Sequence, residues 1–301
     1  MRLTPRLLAA LTVAIFSAAP ASAAAQAFCS APHSAPSLST SGSITTLQPG
    51  TGWVLATLHR VRSNELYGSD GETLRFLGSG EATTTSVFLT GAIGVMWGVE
   101  LWAQVPIHAL NFDDVTGTRK RTGLGDPRVS VRIGSELFSY DVWPVSIRAG
   151  IKFPGSEFPI DVSVLPLTEG QMDYEVAVES GWSFGSLPLY ALGWVGYRWR
   201  TEDAASEIKP GNERYAHLGL GGLLGSVRLE VALDALDGEA PSRSGLLIPA
   251  SARRLVQLTP TIGWSFGAGS LELGAQIPIS GRNLPTGSGV SIGYMLPWGT
   301  L

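Results

Sequence analysis

The chain has 301 residues, of which only 15% are charged and 44% belong to the hydrophobic class. Soluble proteins carry about 25% charged residues, so this composition excludes a disordered chain and a charge-rich coiled coil. The formal net charge of -4 excludes a strongly basic surface for binding nucleic acid. Because the sequence contains a single cysteine, it cannot form an intramolecular disulfide framework.

The N-terminus has the features of a secretory signal peptide. Arg2 and Arg6 precede an apolar run over residues 7–16, and small residues follow it. The run is too short to cross a bilayer as a helix, which needs about 20 residues. We therefore predict that residues 1–27 are a signal peptide. Segment 28–50 is rich in Ser, Thr and Pro, and we predict that it is a flexible periplasmic tail because it has few apolar residues to bury.

Beyond residue 50, the dominant pattern is the alternation of apolar and polar residues, which is typical of β-strands with one apolar face. The clearest case runs from Val99 to Ile107, where Glu100 and Gln104 lie between apolar residues. In chain order, twelve segments are predicted to be strands: 53–62, 84–95, 99–107, 128–133, 145–152, 173–179, 189–199, 214–222, 227–234, 255–264, 271–279 and 290–298. Five of them alternate too weakly to determine which face is apolar: 53–62, 84–95, 189–199, 214–222 and 255–264.

The connections between these strands alternate between long and short, for example 109–124 and then 135–141. Outer-membrane barrels have this asymmetry because their turns are periplasmic and their loops are extracellular. An open sheet edge in lipid leaves backbone amides unpaired at several kcal/mol each, so the sheet must close. We therefore predict an all-β fold, a closed antiparallel transmembrane β-barrel of about 12 strands over residues 51–301, with short periplasmic turns and long extracellular loops, in the bacterial outer membrane. Tryptophans near strand ends support aromatic girdles at both interfaces: Trp97, Trp143, Trp182, Trp199, Trp264 and Trp298.

Four short motifs resemble those of a known family. They are the turn and strand over 94–106, the Gly-Leu-Gly-Asp strand over 123–132, and the elements at 152–155 and 170–174. Together they resemble the outer-membrane transporters of the phenol-degradation (MetA-pathway) type, and the resemblance extends from Gly91 to Trp199. It implies a barrel that passes small organic solutes, often aromatic or apolar, by passive movement. The expected partners are outer-membrane lipid, lipopolysaccharide, a small organic solute and the barrel-assembly machinery during biogenesis, with no nucleic acid.

If the apolar faces contact lipid, the alternating polar residues must line the lumen. The predicted pore-lining and solute-binding residues are Glu100, Gln104, Asp126, Arg128, Arg132, Arg148, Lys152, Asp173, Glu175, Glu179, Arg228, Glu230, Asp234, Arg254, Glu272 and Gln276. Opposite charges on neighbouring strands leave two alternatives open. The side chains could form salt bridges that fill a narrow barrel, or they could form a charged constriction that selects solutes.

Passive transport is the leading functional hypothesis, and two others are weaker. One is a closed structural or interaction barrel that acts through its extracellular loops. The other is an outer-membrane lipid hydrolase using His59, His108 or His217, but the chain lacks the HExxH and Gly-x-Ser-x-Gly motifs. We therefore predict no enzyme activity, no cofactor and no metal. The basic run 119–121 is interpreted either as a lipopolysaccharide contact or as an ordinary solvated charge run.

Overall fold

The computed structural model describes residues 45–138, 143–156, 164–185, 187–204 and 206–299. The predicted signal peptide and most of the predicted tail, up to residue 44, lie outside the described residues. Within the described part of the chain, no helix is long and apolar enough to cross a membrane.

Thirteen strands form the main sheet, and each pairs antiparallel with its neighbours. The strands are β1 (Gly52–Ser63), β2 (Glu81–Met96), β3 (Val99–Asp114), β4 (Gly117–Leu124), β5 (Arg128–Gly134), β6 (Val145–Lys152), β7 (Asp173–Ser183), β8 (Leu189–Arg200), β9 (Glu213–Leu224), β10 (Val227–Gly238), β11 (Arg254–Phe266), β12 (Gly269–Arg282) and β13 (Ser288–Trp298).

Strands β4 and β5 are two halves of one barrel strand. Strand β4 pairs with residues 107–114 of β3, and β5 pairs with residues 99–104 of β3. Between the two halves, residues 125–127 shift the pairing register by one residue. The barrel therefore has twelve strands, which confirms the predicted number.

The barrel closes without an open edge. Strand β1 pairs along its length with β13, from Gly52 opposite Trp298 to Arg62 opposite Ser288. On its other side β1 pairs with β2, which pairs in turn with β3. With β4 and β5 counted as one strand, each of the twelve strands thus has a hydrogen-bonded neighbour on both sides, as a sheet surrounded by hydrocarbon requires. The β4 half, at the extracellular end, pairs with β3 on one side.

Short strands and helical turns order the connections between the barrel strands. Two small sheets lie in three of the long loops. The first pairs Glu65–Tyr67 with Thr73–Arg75, and the second joins Ile208–Lys209 to Ser242–Arg243 and Leu246–Leu247. Short 3-10 turns lie in three connections: Leu77–Ser79, Ser135–Leu137 and Pro249–Ser251. The turn between β2 and β3 has only two residues, and Gly98 adopts the left-handed conformation (φ 74°) that such a turn favours.

The prediction that residues 109–124 form a loop is wrong. Strands β3 and β4 continue as a paired hairpin as far as Asp114 opposite Gly117. Polar residues occupy both faces of this extension, so no apolar alternation marks it in the sequence. The alternation of apolar and polar residues is absent because this part of the hairpin lies beyond the lipid-facing part of the wall, on its extracellular side. Neither face of the hairpin needs to contact lipid there.

The two faces of the wall have opposite character. On three adjacent strands Leu58, Ile292 and Leu273 point outward and are 43–47% exposed. The inward-facing Thr57 and Glu272 are fully buried. Polar groups inside and apolar groups outside are the arrangement expected of a membrane barrel.

The structure also determines the facing of the five weak strands. In β1, for example, Trp53, Leu55, Thr57 and His59 point into the barrel. The first two are apolar, so both faces of this strand are apolar near the periplasmic end. This is the physical reason that the alternation is weak there.

The facing can be tested with Ile292→Arg, which should lower the free energy of unfolding by about 2 to 4 kcal/mol because it places a charge in the apolar band. Denaturant titration of the chain folded in phospholipid vesicles measures this loss. The matched control is Ser288→Arg at the extracellular end of the same strand, where the cost should be about 0 to 1 kcal/mol. Equal losses for the two variants would contradict the assigned facing.

Candidate functional site

Lys152, at the end of β6, lies at the centre of a group of carboxylates in the extracellular half of the lumen. Its Nζ atom is 2.8 Å from Glu169, 2.9 Å from Asp173 and 3.3 Å from Asp126. Asp126 belongs to the break between β4 and β5, and it also accepts hydrogen bonds from the backbone N–H groups of Gly155 and Glu169. Gly155 and Glu169, in the connection after β6, are thereby both fixed to Asp126.

Arginines from β8 extend this group across the barrel. Arg198 binds Glu213 at 2.8 Å and Glu175 at 3.0 Å. Arg200 binds Glu213 at 3.2 Å and also pairs with Glu169. Arg253 contacts both of these glutamates as well. Glu213 therefore contacts three guanidinium groups at once.

We refer to these residues as the outer cluster. It has five cations and five carboxylates, so its formal charges balance: Arg128, Lys152, Arg198, Arg200 and Arg253 with Asp126, Glu169, Asp173, Glu175 and Glu213. The residues Lys152, Asp173 and Glu213 are only 1–2% exposed. Ion pairs this buried fill the lumen at this level, and they favour the first of the two alternatives drawn from the sequence. Such pairs depend on mutual neutralisation because each isolated charge would be costly to bury.

A second group, the inner cluster, lies toward the periplasmic end and consists of Glu100, Arg132, Arg148 and Glu179. Arg132 binds Glu179 at 2.8 Å and Glu100 at 3.3 Å. Arg148 binds Glu179 at 2.8 Å. Charge-assisted pairs of this kind hold three consecutive barrel strands and β7 in register.

The chain segment ahead of β1 contacts the inner cluster. The backbone N–H of Leu47 donates to Glu100, and the carbonyl of Thr45 accepts from Arg132 at 3.4 Å. Leu47 is buried in an apolar cluster with Trp53. Residues 45–50 therefore lie across the periplasmic opening.

The opposite side of the lumen contains smaller polar pairs. Tyr190 donates to Glu230 at 2.6 Å, and Arg228 pairs with Glu272. His217 lies 2.7 Å from Asp234, and its ring stacks on Trp194 with centroids 3.7 Å apart. This side is richer in rings and poorer in charges than the outer cluster.

The structure places all but one of the predicted lumen residues inside the barrel, mostly within the clusters and pairs described above. Gln104 also points inward and donates to Thr90 at 3.1 Å. The exception is Arg254, which is opposite Asp237 on the outward face, whereas its neighbour Arg253 enters the outer cluster. The expected position of Arg254 was wrong by one residue, because the alternation in β11 is too weak to give its phase. The role of the inward residues in binding solute stays a prediction.

Several central residues were missed. Arg198, Arg200 and Glu213 lie in two of the weak strands, where the small or aromatic inward residues dilute the alternation. Glu169 and Arg253 lie in loops, where no periodicity applies. The one available signal was Tyr-Arg-Trp-Arg at 197–200, an alternation of aromatic and cationic residues at the end of β8.

The three histidines considered for catalysis lie in the lumen wall. His108 is 2.8 Å from Ser86, and His59 and His108 are each 1% exposed. The ring of Phe88 lies between them. Buried in this way, the histidines do not line a lipid-accessible mouth.

An open cavity of about 840 Å³ lies on the outer face of the wall, in its periplasmic half. It is bounded by outward residues such as Leu220 and Val231 and by inward residues such as Glu230 and Thr261. Pro260 also lines it, at the point where the pairing between β11 and β12 is interrupted between Leu258 and Thr261. A proline lacks the N–H that a strand ladder needs, which explains the interruption.

The outer cluster predicts a large effect for Glu213→Gln. Three guanidinium groups would lose charge compensation, so the free energy of unfolding should fall by about 3 to 5 kcal/mol. Denaturant titration in vesicles measures it. Glu239→Gln is the control, because Glu239 is exposed and accepts hydrogen bonds from Tyr197 and Asn212; there the loss should be about 1 kcal/mol or less. A similar small loss at Glu213 would show that the cluster does not stabilise the barrel.

No family model and no curated protein matches the chain. Among solved structures, the fold is similar to the COG4313 outer membrane channel from Pseudomonas putida F1, with a TM-score of 0.73, 13% identity, and coverage of 85% of this chain and 98% of that chain. More distant similarities are to the NanC porin, with a TM-score of 0.48, 12% identity and coverage of 80% and 98%, and to the CymD monoaromatic hydrocarbon channel, with a TM-score of 0.44, 9% identity and coverage of 84% and 90%.

The first of these similarities agrees with the resemblance to the phenol-degradation type of transporter seen in the sequence. At such low identity a structural match shows the fold. The closed wall and the apolar outer face are those of a membrane barrel. The chain is thus a twelve-stranded β-barrel of the bacterial outer membrane.

Proposed function

We propose that the chain is an outer-membrane channel for the passive movement of small organic solutes, with a preference for apolar or aromatic ones. The observation that supports this proposal best is the cavity at Pro260. Its lining is largely apolar and includes a few polar groups, Tyr190, Glu230 and Thr261, as is common for small-molecule sites.

The filled lumen argues for this route over a simple aqueous pore. The buried ion pairs of the outer cluster obstruct the lumen at their level, and a hydrated ion that took this path would have to displace them. An apolar solute in the cavity does not have to displace these ion pairs, because apolar residues form most of the lining. The cavity therefore favours apolar solutes over ions.

The same filled lumen favours a second candidate function, a closed barrel that acts through its extracellular loops. The small sheet of Ile208–Lys209, Ser242–Arg243 and Leu246–Leu247 gives two of these loops a defined shape. Leu246 and Leu247 are 75% and 69% exposed. The two functions differ in whether any solute crosses the wall.

The experiment compares two alanine-to-tryptophan variants on the outer face. Ala275→Trp should fill the cavity, since Ala275 is one of its lining residues. Ala103→Trp adds the same ring at an exposed site on β3. The readout is uptake of the apolar dye 1-N-phenylnaphthylamine by cells that produce the chain, since lipopolysaccharide slows its entry into cells that do not.

We expect the wild-type chain and Ala103→Trp to raise dye uptake equally, and Ala275→Trp to lose most of that increase. Uptake by the wild type at the level of cells without the chain would overturn the channel proposal and favour the closed barrel. Equal uptake by all three forms would show that solutes do not use the cavity.

A further inference from the structure

A row of charged side chains crosses four neighbouring strands at the extracellular edge of the barrel. Arg214 on β9 is opposite Asp237 on β10, Asp237 is opposite Arg254 on β11, and Arg254 is opposite Arg282 on β12. One residue from each strand therefore lies at the same level of the wall.

This row belongs to the outer face. On β9, Leu218 faces outward and is 55% exposed. Arg214 lies on the same face, four residues nearer the extracellular end of the strand. Along β10, Leu233 is outward and 42% exposed, with Asp237 in the equivalent position. On β12 the last exposed apolar residue below the row is Ile279. The charges therefore begin where the lipid-facing side chains end, at the level of lipid headgroups.

The central pair of the row combines two like charges. Arg254 and Arg282 are direct cross-strand partners on one face, and like charges directly opposite each other are destabilising. Asp237 is the cross-strand partner of both Arg214 and Arg254, and Arg282 lies one strand farther along the row. An anion bound between Arg254 and Arg282 would remove the repulsion.

Strand β1 adds two more arginines to this side of the barrel. Arg60 and Arg62 follow the outward Leu58 on the same face, and Arg62 pairs with Glu81. We call the five residues Arg60, Arg62, Arg214, Arg254 and Arg282 the cationic arc. With Asp237 and Glu81 as its carboxylates, the arc has a formal charge of +3, in contrast to the balanced outer cluster inside the barrel.

The rest of the extracellular edge has a different composition. On β7 and β8 the outward residues at the strand ends are Tyr174 and Trp199, which are 43% and 48% exposed. Phe153 follows the end of β6 and is 38% exposed. These three outward residues carry no charge, in contrast to the cationic arc.

We propose that the cationic arc binds the phosphate groups of lipopolysaccharide in the outer leaflet, with Arg254 and Arg282 sharing one phosphate. Guanidinium groups bind phosphate through paired charge-assisted hydrogen bonds. The occupant is a lipid because the arc directly adjoins Leu218, Leu233 and Ile279, where the acyl chains of the same molecule can pack. The basic run at 119–121 is less suited to this role, since Arg119 pairs with Asp114 and Arg121 donates to the carbonyl of Leu165.

The test uses the full chain purified in detergent and freed of lipopolysaccharide. The probes are diphosphoryl lipid A, the same lipid with its phosphates removed, and inorganic phosphate, and native mass spectrometry measures their binding. We expect diphosphoryl lipid A to bind at least about tenfold more tightly than the dephosphorylated lipid, as expected when charge-assisted hydrogen bonds are lost.

The double variant R254Q/R282Q should weaken binding of diphosphoryl lipid A by about tenfold or more. K120Q is the matched control, because Lys120 is an exposed cation on β4, outside the arc, and its binding should equal that of the wild type. Wild-type affinity in the double variant, or equal binding of both lipids, would overturn the proposal. Inorganic phosphate bound as tightly as lipid A would also overturn it, since the site would then recognise free anion.

A single variant keeps the test decisive if the double variant folds poorly. Arg282→Gln removes one of the two like charges, so its melting temperature without lipid should equal or exceed that of the wild type. Lipid A should raise that temperature less in Arg282→Gln than in the wild type. An equal rise in both would count against the shared phosphate. None of these outcomes depends on whether solutes cross the barrel.

Discussion

The need to satisfy every backbone hydrogen bond in a solvent that offers none determines the architecture of this protein. Strand β1 pairs with β13 and β2 along its length, so the wall has no free edge. Closure forces the outward side chains to be apolar and leaves the polar side chains facing one another across a narrow lumen. The distribution of charge inside the barrel follows from this first constraint.

Charges that face a narrow lumen must neutralise one another or remain hydrated. In the extracellular half they neutralise one another, and Glu213 alone contacts Arg198, Arg200 and Arg253. Farther toward the periplasm, the side around Tyr190 and Trp194 is lined mainly by rings and by small polar pairs. The barrel thus combines buried ion pairs in its extracellular half with an apolar cavity in its wall, and the proposed preference for apolar solutes rests on this combination.

Strong alternation predicted the architecture, whereas weak alternation limited the prediction of the site. Strands such as β3 and β10 have a polar inward face and an apolar outward face, so both their existence and their facing could be predicted. In β8 the inward residues include Leu192, Trp194 and Gly196, and their apolar or neutral character hides Arg198 and Arg200. Arg254 was misplaced for the same reason, since a strand without a clear phase cannot distinguish it from Arg253. Contacts made by loop residues, such as the ion pair of Glu169 with Lys152, depend on the tertiary fold, so no local sequence pattern predicts them.

The one-residue register shift at 125–127 has a consequence for how this protein can evolve. In a continuous strand, an inserted or deleted residue inverts the facing of every side chain beyond it. Here the hairpin above the break already has a different phase from β5 below it. Length changes in the extracellular tip can therefore accumulate without turning Arg128 and Arg132 toward lipid, and the exposed end of the hairpin is free to diversify while the buried half stays constant.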